Sequence, residues 1–195
     1  MKKKILLVLL LITMIFVVTS CGSQNSPAQE EGNNQKVESS QRDADRDAID
    51  FTNFDTMDIY GQEVNQEIFQ DYQLTMVNVW GTFCGPCIDE MPDLGEIQRE
   101  YQDKGVNIVG IVVDVQGQDL SVVEEQLEKA KKIAELTEAD YLHLLLSEEL
   151  IRARIGEIAS IPTTFFVDNK GNFVGKTYVG ARNKQDWIDI IEENL

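Results

Sequence analysis

The residues best suited to chemistry in this 195-residue chain are Cys84 and Cys87, separated by Gly85 and Pro86. A Cys-x-x-Cys pair can hold metal, staple the chain or exchange disulfides. Structural zinc takes four protein ligands, and catalytic zinc takes three with an open position. The chain has one histidine, His143, and its third cysteine, Cys21, lies far away near the N-terminus, so the ligand count argues against zinc. His143 sits in a strand pattern and reads as a packed or surface residue, so no metal is expected. As a staple the pair is poor, because closing so short a loop constrains the unfolded chain little. Exchange remains: a thiolate attacks a disulfide, a mixed disulfide forms, and the second thiol resolves it.

That chemistry needs a thiolate near neutral pH, and the surrounding sequence supplies a means. Leu74 to Trp80 (LTMVNVW) is an apolar run suited to a buried central strand. Ile88, Met91, Leu94, Ile97 and Tyr101 then recur at helical spacing. The cysteines therefore sit where a strand gives way to a helix. A helix N-terminus offers free N–H groups and partial positive charge, both of which stabilise a thiolate. Pro86 suits the first turn, where its missing N–H costs nothing. Cys84 is expected at the exposed tip as the attacker, and Cys87, nearly one turn inside, as the resolver. Pro92 should kink the helix.

Trp80-Gly81-Thr82-Phe83-Cys84-Gly85-Pro86-Cys87, taken with Ile161-Pro162-Thr163, resembles the active-site pair of thioredoxin-fold proteins. The resemblance implies a cis proline at Pro162 facing the cysteines, and Pro92 matches the family's kink proline. Within the fold, the chain from Phe51 to Leu195 is most similar to the TlpA/ResA-like thiol–disulfide oxidoreductases. The features that carry this are the Asn78-to-Cys84 junction, an extra helix–strand insertion at about Asp114 to Ser147, and Glu90, three residues after Cys87. The implied fold is α/β and thioredoxin-like, a central mixed sheet flanked by helices, with that insertion.

The implied site comprises Cys84 and Cys87 as a redox-active disulfide, with Glu90 and Pro162 beside them. Trp80, Phe83, Gly85, Pro86 and Ile161 are expected to form the substrate surface, and no cofactor is needed. Thioredoxin has a buried Asp where this chain has Asn78, so Glu90 is the candidate proton acceptor for Cys87. A helix-start preference for acids is the plainer reading of Glu90. The implied substrates are disulfide-bearing exported proteins such as apocytochrome c or methionine sulfoxide reductase, with a membrane electron donor of the CcdA/DsbD type. Two other functions fit less well. Peroxiredoxins carry Thr, after a Pro, three residues before the reactive Cys, where this chain has Gly81. Copper-delivery relatives use Cys-x-x-x-Cys with a downstream His; the spacing here differs, which also weakens a metallochaperone or solute-binding lipoprotein.

Further elements can be placed by pattern. Ile49 to Ile59 is an irregular extended lead-in, and Glu63 to Asp71 a weak helix or turn. Val106 to Val113 and Tyr141 to Leu146 read as strands, Leu120 to Leu136 as an amphipathic helix, and Glu148 to Ile155 as a short helix. Thr163 to Val167 and Phe173 to Val179 form a hairpin around Asp168-Asn169-Lys170-Gly171. Asn183 caps a last helix bearing Trp187, Ile188, Ile191 and Leu195.

The N-terminus carries an export signature over residues 1–20. Lys2, Lys3 and Lys4 precede an apolar run from Ile5 to Val18, short for a membrane span. Val18-Thr19-Ser20-Cys21 resembles the lipobox of bacterial lipoproteins, which implies that Cys21 becomes the lipidated N-terminus, tied to the membrane. Residues 21–48 are polar and read as a flexible tether; residues 49–195 form the folded domain. Loss of the signal lysines would take the net charge from −17 to −20. Such acidity disfavours nucleic acid and anionic lipid as direct ligands.

Overall fold

A computed structural model describes residues 49–195. The expected signal peptide, lipidated Cys21 and tether lie outside the described residues. The main sheet holds β3 (Leu74–Trp80), β4 (Val106–Val112), β5 (Leu142–Leu144), β6 (Thr163–Val167) and β7 (Phe173–Val179), in the order β5-β4-β3-β6-β7. Strands β3, β4 and β5 are parallel; β6 runs antiparallel to β3, and β7 antiparallel to β6. The flanking helices are α1 (Gly85–Tyr101), α2 (Glu124–Leu136), α3 (Glu148–Arg152) and α4 (Lys184–Asn194). A separate pair, β1 (Asp55–Met57) and β2 (Glu63–Asn65), is antiparallel.

Every residue of β3 and β4 is buried, as a sheet covered on both faces requires. The period of two along β3 divides its side chains. Met76 and Trp80 join Met91, Leu94 and Ile97 of α1 and Trp187 and Ile191 of α4 in one cluster. Val77 and Val79 join Phe51, Phe54, Phe69 and Phe165 in the other. Phe51 is the hub there, with ring centroids 5.8 Å from Phe54, 6.4 Å from Phe69 and 5.4 Å from Phe165. Asn78 shares a strand face with Met76 and Trp80, so the pleat alone turns a polar amide toward α1.

The strands read at Leu74–Trp80, Thr163–Val167 and Phe173–Val179 stand at those bounds. Asn183 caps α4, its side chain accepting the Asp186 N–H. Other elements differ. Glu63 to Asn65 is strand rather than helix or turn, because β1 pairs with it; the 3-10 turn Gln66–Phe69 follows, capped by Asn65. The helix expected from Leu120 starts at Glu124. Leu120 is left-handed (φ 61), Val123 is extended, and the Val123 N–H is held by the Val115 carbonyl at 2.9 Å. The third strand is shorter than its apolar run. Beyond Leu144, the Gln116 side chain takes over the pairing, accepting the Leu146 N–H at 2.7 Å and donating to its carbonyl at 3.0 Å.

Candidate active site

The turn that carries the cysteines starts directly after β3. The Cys84 N–H donates to the Gly81 carbonyl at 3.0 Å. Cys84 is then the N-cap of α1, and its sulfur accepts the Cys87 N–H at 3.2 Å. Pro86 lies in the first helical positions, as expected. Cys84 and Cys87 are joined in a disulfide, with Cα atoms 5.3 Å apart. Cys84 is less exposed than a tip position suggests, at 6 % against 0 % for Cys87. The asymmetry still holds, since only Cys84 keeps any solvent contact. Beside it, Gly85 and Pro86 are exposed, and Phe83 is 70 % exposed.

Glu90 points inward from α1 and is 2 % exposed. One oxygen accepts from Asn78 Nδ2 at 2.9 Å. The other accepts the Arg182 backbone N–H at 3.1 Å and Trp187 Nε1–H at 3.2 Å. Burial raises its pKa; those three donors and the Arg182 charge oppose the rise without cancelling it. No acid lies in the first turn of α1, so the helix dipole does not account for Glu90. The Asn78 amide also donates to Thr164 Oγ1 at 3.0 Å, which ties β3 to β6 behind the carboxylate.

The Ile161–Pro162 peptide is cis, as the resemblance implies. The Gly180 N–H donates to the Pro162 carbonyl at 2.8 Å. Ile161 packs against the cluster that contains both cysteines. A Cβ on Gly81 would stand 3.1 Å from Ile161 Cδ1 and 3.1 Å from a Phe83 ring carbon, so the proline loop abuts the cysteine loop where only glycine is easy to fit.

Trp80 requires a correction. It is fully buried and cannot form part of a substrate surface; its indole sits edge-on to His143, with centroids 5.4 Å apart. Both rings crowd the place where a Gly110 side chain would stand, so Gly110 in β4 makes room for them. His143 is a packed residue, as expected. Burial pushes its pKa down to about 4, and its Nε2 lies 3.1 Å from the Ala139 carbonyl oxygen.

Three neighbours of the site escaped sequence reasoning. Arg182 acts on Glu90 through its backbone N–H, which no side-chain pattern reports. Trp187 reads in the sequence only as an apolar helix residue. Asp114, just past β4, binds Thr82 twice; the sole sequence signal was the position of Thr82, two residues before Cys84.

A disulfide at a helix N-terminus, following a central strand and beside a cis-proline loop, defines a thioredoxin-like domain. The family described as AhpC/TSA matches residues 45–175, well over half of the chain, and the chain belongs to that family. It is 31 % identical over 110 residues to the thiol-disulfide oxidoreductase ResA of Geobacillus thermodenitrificans, 56 % of each chain. It is 30 % identical over 111 residues to the thioredoxin-like protein YneN of Bacillus subtilis, 57 % of this chain and 59 % of that one. The match thus spans somewhat over half the length of these relatives. Among solved structures, a thiol:disulfide interchange protein of the thioredoxin family from Chlorobium tepidum superposes with TM-score 0.62 at 28 % identity. That alignment covers 75 % of this chain and 96 % of the other. StoA from Bacillus subtilis, at 19 % identity and TM-score 0.53, shares the fold, over 70 % of this chain and 94 % of its own.

Proposed function

We propose that this protein is a membrane-anchored, extracytoplasmic thiol–disulfide oxidoreductase that reduces disulfides of exported proteins. The observation that carries the reading is the Cys84–Cys87 disulfide at the start of α1, with the Cys84 sulfur accepting a helix N–H. In the reduced protein the same N–H and the helix dipole favour a Cys84 thiolate. That thiolate attacks one sulfur of a substrate disulfide; the substrate S–S bond breaks and a mixed disulfide forms. Cys87 gives its proton to Glu90 and attacks the Cys84 sulfur. Two substrate thiolates depart; one takes the proton back from Glu90 and the other takes one from solvent, so the substrate leaves as a dithiol and the Cys84–Cys87 pair has lost two electrons. Burial raises the Glu90 pKa above its ordinary value, which makes the carboxylate a stronger base.

Exposed Phe83, Gly85 and Pro86, with Ile161 across the turn, offer the surface on which a substrate docks. Re-reduction falls to a membrane electron donor of the CcdA/DsbD type. Apocytochrome c and methionine sulfoxide reductases are substrates of the kind the resemblance suggests. Anchoring rests on Cys21 at the end of the lipobox, with residues 21–48 as tether. Loss of labelled fatty acid in Cys21→Ala is the result expected, and undiminished label would refute the anchor. Gly81 in place of a threonine favours disulfides over peroxides as the oxidant.

The test is the reduction potential of the pair, read by equilibration with glutathione. Asp89 follows Cys87 closely, and the glycine and proline between the cysteines carry no charge, so thiolate stabilisation should stay modest. A value nearer thioredoxin at about −270 mV than DsbA at about −120 mV is expected. One more positive than about −180 mV, the level of protein disulfide isomerase, would assign the protein to disulfide formation instead.

A further inference from the structure

We infer that Asp114 is a positioning residue for Cys84: through Thr82, its carboxylate holds the turn from Gly81 to Cys84 and so sets where the attacking sulfur stands. The inference rests on the thiol–disulfide reading above and adds to it a residue of the inserted segment. Thr82 is 3 % exposed and lies in the middle of the turn that the Cys84 N–H closes onto Gly81. Asp114 Oδ1 accepts the Thr82 N–H at 2.9 Å, and Oδ2 accepts the Thr82 hydroxyl at 2.6 Å. Gln126 of α2 reaches the same hydroxyl at 3.1 Å.

The chain of contacts is short. Asp114 fixes Thr82, Thr82 fixes the turn, and the turn places the Cys84 sulfur on the Cys87 N–H. Such bonds to an ionised acceptor are stronger and more directional than neutral ones. Asp114 leads out of β4, so the rigid sheet is the reference against which the turn is held. Gln126 adds the inserted helix to that support. Gly81 allows the arrangement: a Cβ there would stand 3.4 Å from Asp114 Oδ1 as well as pressing on Ile161 and Phe83.

The sign of one measurement separates positioning from a mere neighbouring charge. A carboxylate near a thiol disfavours the thiolate, so on Coulomb grounds alone its removal lowers the thiol pKa. If Asp114 instead holds the sulfur at the helix N-terminus, its removal raises that pKa. The experiment follows alkylation of Cys84 by iodoacetamide in the reduced protein against pH, with the modified residue identified by peptide mass.

Asp114→Ala should move the midpoint to higher pH and slow alkylation at pH 7 about two- to fivefold, the scale of a helix-terminus interaction. Thr82→Val keeps the charge and loses the hydroxyl, and should move it in the same direction by less. Asp114→Asn keeps an acceptor for the Thr82 N–H and loses the charge, and should leave the midpoint at or below the wild-type value. Should Asp114→Ala fail to fold, the other two variants decide. A midpoint that is unmoved or lower in Asp114→Ala, or unmoved in Thr82→Val, overturns the inference, even if melting temperature falls. A wild-type protein that reduces no disulfide would defeat the functional reading instead, whatever the midpoints show.

Discussion

Cys84→Ser is expected to abolish disulfide reduction, by ~1000-fold or more, because the attacking atom itself is gone. Cys87→Ser should behave differently. Attack by Cys84 survives, but nothing resolves the product, so substrate accumulates as a mixed disulfide on Cys84. The structural basis is the difference in burial of the two residues: Cys84 keeps 6 % exposure and Cys87 none. An approaching substrate sulfur is therefore expected at Cys84 rather than at Cys87. Non-reducing electrophoresis of each variant after incubation with an oxidised substrate reads this directly. Equal trapping by both would reverse or erase the assignment of attacker and resolver.

Glu90→Gln is expected to slow resolution by ~100-fold, the lower end of what a positioned proton acceptor contributes, and to flatten the pH–rate profile. The amide can be accommodated. Asn78 Oδ1 has no partner among the described residues, so a flip of the Asn78 amide offers an acceptor to the new NH2 group. Thr164 can then donate where it now accepts.

The same substitution should change stability with a sign that is fixed in advance. Burial raises the Glu90 pKa above its ordinary 4.5. The uncharged acid is therefore favoured in the folded protein. The stability it contributes is fully present below pH 4.5 and is lost as pH rises through the raised value. As pH rises, ionising the buried Glu90 carboxyl costs the wild-type protein stability, a cost the uncharged Gln variant does not bear. Glu90→Gln should thus be the more stable protein at pH 8, with the difference shrinking toward pH 4. Denaturant melts at the two pH values check this. A variant that is slower and also less stable at pH 8 would mark Glu90 as a structural hydrogen-bond centre. An unchanged pH–rate profile would remove it from proton transfer altogether.

Both predictions join what local sequence reveals to what it hides. Periodicity and caps are short-range signals, and they place several elements well, while the helix read from Leu120 starts only at Glu124. Leu74–Trp80 is a strand, a helix opens at the cysteines, and Asn183 starts the last helix. Trp80 to Cys87 and Ile161-Pro162-Thr163 point by resemblance to the thioredoxin-like fold, because helix-start chemistry and the proline triplet are written in adjacent residues, and Cys84 and Cys87 do form a disulfide. The β2 strand was illegible for the opposite reason: its three residues extend only because β1 is beside them.

Packing alone decided the rest of the site. Trp80 has the composition of a docking residue, yet its place in a central strand seals it beneath the sheet against His143. Glu90 lies 12 residues from Asn78 and 97 from Trp187, and the Arg182 group that binds it is a backbone N–H. Asp114 reaches Thr82 across 32 residues. Such partners meet because α1, α4 and the end of β4 converge on one end of the sheet, and that convergence depends on how whole elements pack. Sequence by itself marked Cys84 and Cys87 as the residues suited to disulfide chemistry, because their spacing and the helix start are local. The tertiary structure decided which groups bond the Glu90 carboxylate and which carboxylate meets Thr82, because those partners are far apart in the chain.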